Sequence, residues 1–155
     1  MAGRLLPGTA VRVRRGRRQD LLQVRALLDP GAGDGLERLY RRILADLGMD
    51  VYVAEDPAGE IVGVVSVAYR RSLMRGGRSA ILDGARVGHA PGVLEGLVAF
   101  AEERARRRGC RRLGAWVGTE DAALRATLVA RGYRLGDLCV TDLSTGAGTD
   151  RPGAA

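Results

Sequence analysis

Two adjacent stretches of this chain carry residues whose types and spacing suit chemistry. "SAILDGARV" (residues 79–87) sets a single carboxylate, Asp83, in the middle of a strand-like run. There a carboxylate is a general base if burial raises its pKa, and otherwise a solvent-facing or salt-bridged strand residue. "RVGHAPGVLEG" (residues 86–96) follows directly and turns into a helix. The first N–H groups of a helix have no intrahelical partner, and its dipole favours an anion there. This stretch therefore reads either as a phosphate cradle or as a plain glycine-rich corner. His89, the one histidine, is a phosphate contact in the first reading and a loop residue in the second. Trp116 lies between Gly114 and Gly118, small neighbours that suit either a ligand groove or ordinary packing.

Several elements must position these residues. "AVRVRR" (10–15) alternates and reads as a first strand. "RQDLLQVRALLDP" is helical, with Asp20 in its first turn and Asp29-Pro30 as its stop. "LERLYRRILADLG" places Leu36, Leu39, Tyr40, Ile43, Leu44 and Leu47 on one face, with Asp34 as N-cap. "DVYVAED" and "EIVGVVSVAYRR" form a hairpin around "DPAG", whose acidic shoulder is Glu55 and Asp56. A helix over residues 91–108 buries Leu94, Leu97, Val98, Ala101 and Ala105, with Glu102–Arg106 and Glu103–Arg107 pairs outside. A strand around 113–117 precedes a helix capped by Thr119, and "DLCVTDL" is a last edge strand. Residues 1–143 then make one domain, and the polar stretch 144–155 is expected to be disordered.

The fold class expected is α/β of the α+β kind. A mixed, mostly antiparallel sheet of about six to seven strands carries helices on both faces. The strand–helix–strand run from 79 to 117 supplies its parallel pair.

Composition narrows the function classes. With 155 residues and 46% hydrophobic content, one folded core is the expectation. No apolar run suits a leader peptide or a membrane span, so a cytoplasmic protein without membrane contact is expected. Cys110 and Cys139 match no metal-ligand spacing. The net charge is +7 and all its cationic side chains are arginines. That field suits an anionic partner, and the cluster Arg12 to Arg18 offers a nucleic-acid reading. The low aromatic content, 4%, argues against a base-stacking platform.

The order of elements resembles the GCN5-related N-acetyltransferase (GNAT) family over most of the chain. The likeness is carried by "VRVRRGRRQDLLQVRALL", "DVYVAEDPAGEIVGVVSV", "GVLEGLVAFAEERARRRGCRRL" and "RATLVARGY". It implies acetyl-CoA as substrate, lying where two central parallel strands splay apart. It implies an amine acceptor, small molecule or protein, entering from the other side. Arg86, Val87, His89, Gly92, Val93, Leu94 and Asp121 would then contact CoA, with Asp83 as the catalytic base. The family's Gln/Arg-x-x-Gly-x-Gly/Ala loop falls on residues 89–94, where only Gly92 matches. Leu128 stands where many members have a tyrosine acid, and Tyr133 where they have a packing aromatic. The arginine-rich loop 71–79 implies an acidic group on or beside the acceptor. The alternatives are a GNAT-fold module that binds or regulates without catalysis, and a small basic nucleic-acid-binding domain. An exposed last strand would offer a route to a homodimer.

Overall fold

The structure, a computed structural model, describes residues 3–28, 35–74 and 76–136. Its described strands form a six-stranded sheet in the order β1 (Arg4–Leu5), β2 (Arg12–Arg15), β3 (Met49–Glu55), β4 (Ile61–Arg71), β5 (Arg78–Val87), β6 (Cys110–Ala115). The first four pairings are antiparallel, and β5–β6 is parallel. α3 (Val93–Arg107) makes the crossover between the two parallel strands. The expected mixed sheet is thus present. The strand β1 was not expected, being only two residues long and without alternation to betray it.

Helices cover both faces. α3 and α4 (Ala122–Ala130) bury the larger core, which includes Val65, Val67, Leu82, Leu97 and Leu124. α1 (Leu21–Leu28) and α2 (Gly35–Ala45) cover a smaller cluster on the opposite face, with Val24, Tyr40, Val53 and Val64. α3 lies close on the sheet because β4 has no side chain at Gly63. A Cβ there would stand 2.9 Å from Leu97 Cδ1 and 3.2 Å from Val93 Cγ1.

Four details differ from the sequence expectation. The inner stripe of α3 begins at Val93, fully buried, while Leu94 is only partly covered. On α2, Tyr40 is buried but Leu39 is half-exposed, and Leu47 lies beyond the helix end in solvent. Asp20 falls in a 3-10 turn, Arg18–Asp20, ahead of α1. The N-cap of α4 is Asp121 rather than Thr119, and its carboxylate makes no capping bond because Arg86 takes it. The Asp29-Pro30 stop, the Asp34 cap, the strand 137–143, Cys139 and the tail lie outside the described residues.

Two carboxylates held by arginines, one buried and one partly buried, give the fold a pH dependence. Asp20 is desolvated by burial, but the Arg14 guanidinium, donating twice at 2.8 Å, and the Arg17 N–H at 2.7 Å outweigh this and hold it below the usual range. Glu102 is held down chiefly by Arg131, which donates at 2.9 and 2.8 Å, against a smaller burial penalty. A carboxyl depressed in the folded state contributes stability above its unfolded pKa and loses it as pH falls through the folded one. Unfolding free energy should therefore fall between about pH 5 and pH 3. Urea titrations at stepped pH check this; Asp20→Asn and Glu102→Gln should each flatten the slope. An unchanged slope in both variants would locate the acid sensitivity elsewhere.

Candidate active site

The site is built around one extra residue in β5. Across the β4–β5 ladder, Val67 faces Leu82 while Ser66 faces Gly84, so Asp83 is a bulge with no partner of its own. The burial pattern shows the same step: Ala80, Leu82 and Ala85 face one core, with an interval of three where a regular strand has two. A bulge bends its strand, and pairing to β6 stops there. The last register pair is Leu82–Ala115, followed by the Trp116 N–H donating to the Leu82 carbonyl at 3.0 Å. Beyond that point β5 runs on to Val87, still paired with β4. In an antiparallel ladder alternate residues turn N–H and C=O away from the partner strand. Along 84–87 those groups face a gap left by β6. The splayed parallel pair is the β5–β6 divergence itself.

The same strand leads into the start of α3. Gly92 is the N-cap, at φ +75°, a left-handed conformation in which a side chain is strained. Val93 donates weakly to Ala90 O at 3.4 Å, and Gly96 to Gly92 O at 3.0 Å. The N–H groups of Leu94 and Glu95 have no hydrogen-bond partner among the described residues. Leu94's side chain is partly buried and packs against the core. Glu95 is exposed and drawn toward Arg131, 3.6 Å away on the α4 side. Neither side chain covers the two open amides with a hydrogen bond. His89 is exposed in the loop and lies outside the cavity lining.

A cavity of about 450 Å³ opens from the gap beneath α1 and α2. Asp83, Gly84, Ala85 and Arg86 form its wall on β5, and Trp116 and Val117 its wall beyond β6. Asp83 is exposed there, without the burial that the sequence expectation required. It makes no side-chain hydrogen bond or ion pair among the described residues. Arg86 and Asp121 face each other across the gap and form an ion pair. Tyr40 also lines the cavity; burial, aided by the charge of Asp20, pushes its phenol up to about 12. It stays protonated at neutral pH and donates to Arg17 O at 3.2 Å. The cluster Arg12 to Arg18 is partly consumed inside the fold: Arg14 pairs with Asp20 and Glu55, and Arg15 with Asp50. No described residue of loop 71–79 lines the cavity. Among the described residues no group of three or more His, Cys, Asp or Glu is arranged to hold a metal.

The structure brings Asp83, Arg86 and Asp121 to one gap and places Gly92, Val93 and Leu94 at the end of the same strand. The sequence reading missed the cavity residues of α1 and α2. Nothing local in the sequence separates them from ordinary core residues: Leu36, Leu39, Tyr40 and Ile43 fall on the apolar face of α2.

Among the described residues, a six-stranded, mostly antiparallel sheet with four helices has the fold of the GNAT acetyltransferases. Solved structures similar to this chain carry that fold. An aminoglycoside 6'-N-acetyltransferase, AAC(6')-Ih from Acinetobacter baumannii, superposes with a TM-score of 0.71 at 18% identity, covering 88% of this chain and 99% of that one. AAC(6')-Iy, solved in complex with CoA, gives a TM-score of 0.72 at 21% identity, covering 89% and 97%. A transcriptional regulator from Bacillus halodurans gives a TM-score of 0.75 at 23% identity, covering 85% and 98%. No protein-family model and no curated protein matches the sequence. No described helix is long and apolar enough to cross a membrane.

Proposed function

We propose that the chain is an N-acyltransferase that moves an acetyl group from acetyl-CoA to an amine acceptor. The observation that carries this reading is the departure of β5 from β6 at Asp83. It leaves backbone donors and acceptors open along 84–87, in line with the open amides of Leu94 and Glu95. A pantetheine arm would pair with the first set. Its pyrophosphate would meet the second, where the helix dipole favours an anion. Asp83, Arg86, Val87, Gly92, Val93, Leu94 and Asp121 are the residues that would line that path, with His89 at its edge. Arg86 and Asp121 would part to let the arm through.

Transfer needs an unprotonated amine at the thioester carbonyl. Asp83 stands at the bulge with no competing partner among the described residues and takes up the amine proton, directly or through water. The nitrogen–carbon bond forms, the carbon–sulfur bond breaks, and CoA leaves as its thiol after picking up a proton from solvent. The aminoglycoside acetyltransferases among the structural neighbours and the CoA complex of one of them support the direction of this reading. A GNAT-fold module that has lost competent CoA binding and binds or regulates instead is the second reading, favoured by the single match in the phosphate loop, Gly92.

CoA binding should raise the unfolding free energy by about 2.7 kcal/mol at a hundredfold excess over Kd. Thermal shift with CoA and acetyl-CoA checks this. No shift at millimolar ligand overturns the enzyme reading and assigns that module instead.

A further inference from the structure

The cavity beneath α1 and α2 is walled largely by carbon. Val24, Leu28, Leu36, Leu39 and Ile43 line its helical side, and Val51 and Val64 its sheet side. Among the described residues, three side chains with a formal charge line it: Asp83, Arg86 and Asp121. The last two neutralise each other. That leaves a single uncompensated charge, the Asp83 carboxylate, at the end where β5 departs. Beside it, Ser66 lies opposite Gly84 in the ladder; its Oγ is buried and has no hydrogen-bond partner among the described residues. The cavity is thus polar at one end, with one anionic and one hydroxyl contact, and apolar along the rest. Leu39, 52% exposed, and Trp116, 43% exposed, stand at its edge as large apolar side chains without full cover.

We infer that this cavity takes an apolar primary monoamine, its nitrogen beside Asp83 and its hydrocarbon body against α1 and α2. The name acceptor for this molecule rests on the acyltransferase reading; the amine site does not. A polycation is disfavoured on two grounds. Each further ammonium would be stripped of water against leucine and valine with no further unpaired carboxylate among the described lining residues to meet it. The chain's net charge of +7 also repels it at long range. A neutral apolar molecule fills the same space but leaves Asp83 and Ser66 unmet. One charge and a hydrocarbon body satisfy both ends.

Trp116, the one tryptophan of the chain, reports occupancy directly. The full chain is titrated with 2-phenylethylamine, 2-phenylethanol and spermidine, with and without saturating CoA, while Trp116 emission is followed. The expected result is a saturable change with phenylethylamine, at least tenfold tighter than with either of the others. Asp83→Asn should abolish the preference for the amine over the alcohol and leave the alcohol's affinity unchanged. Leu39→Asp, at a half-exposed position that tolerates a polar side chain, should weaken both by tenfold or more. Spermidine binding as tightly as phenylethylamine, or no response to phenylethylamine under either condition, overturns the inference. Thermal shift with CoA is read separately. A CoA shift without amine binding removes the inference and keeps the transferase reading. Amine binding without a CoA shift does the reverse.

Discussion

Asp50→Ala is expected to lower the unfolding free energy by about 3–5 kcal/mol, the range for removing one partner of a buried ion pair. The Asp50 side chain is 0% exposed near the start of β3. It accepts hydrogen bonds from Arg108 Nη2 at 2.9 Å and Tyr52 OH at 2.9 Å, and Arg15 Nη2 lies 3.3 Å away. Tyr52 is a core residue whose phenol is pushed up first by burial and then by the charge of Asp50, so it donates. It also accepts from Arg104 Nε at 2.9 Å. Truncation leaves Arg108 facing the core without a counter-charge while its guanidinium sits over the Tyr69 ring, 4.3 Å from the centroid. Arg15 is half-exposed and can turn to water, so most of the cost falls on Arg108. A domain is typically stable by only about 5–15 kcal/mol, so this one side chain accounts for much of it. Asp50→Asn keeps an acceptor but not the charge and should fall between wild type and Asp50→Ala. Urea denaturation followed by circular dichroism measures both. A loss under about 1 kcal/mol for Asp50→Ala would mean that both arginines relocate to solvent at little cost.

Asp50 also shows where reading a sequence stops. In "DVYVAED" it is one polar residue in a strand, and its partners lie at positions 15 and 108. Nothing local marks the meeting. The elements that rest on local periodicity were legible. The hairpin of β3 and β4, the amphipathic α2 and the crossover through α3 all follow from apolar spacing. Misjudged details came from tertiary competition. Asp121 caps α4 by position but gives its carboxylate to Arg86, across a gap that no spacing rule reveals. Val93, not Leu94, faces the sheet, because Gly63 lets the helix start approach closely at that point. The bulge is the hardest case. It is a fact about register between β4 and β5, and the only local hint was a charged residue and a glycine in an apolar strand. Asp83 was therefore singled out for its carboxylate, while the larger part of its role is to be one residue too many.

Deleting Asp83 should consequently abolish CoA binding while the fold survives. Leu82 and Gly84 already face neighbouring residues of β4, Val67 and Ser66, so removing the residue between them makes the ladder continuous. Ala80, Leu82 and the present Ala85 would then follow at intervals of two on the same face, and no core side chain changes sides. A straight β5 can stay beside β6 past Leu82, pairing groups that now face the gap. Each backbone bond gained contributes about 1 kcal/mol, so stability should hold or rise. The CoA thermal shift should disappear, and the Trp116 response to phenylethylamine should weaken with the loss of the cavity wall. Asp83→Ala is the decisive comparison. It keeps the residue count, hence the bulge and the gap, and removes only the carboxylate. It should retain the CoA shift and lose the preference for an amine, together with about 10²–10⁴-fold of transfer rate. If the deletion variant still binds CoA like the wild type, the gap does not depend on the bulge. If Asp83→Ala loses the CoA shift as completely as the deletion, the carboxylate rather than the register holds the site open. Only the opposite split, binding lost with the residue and chemistry lost with the charge, assigns the two roles of Asp83 separately.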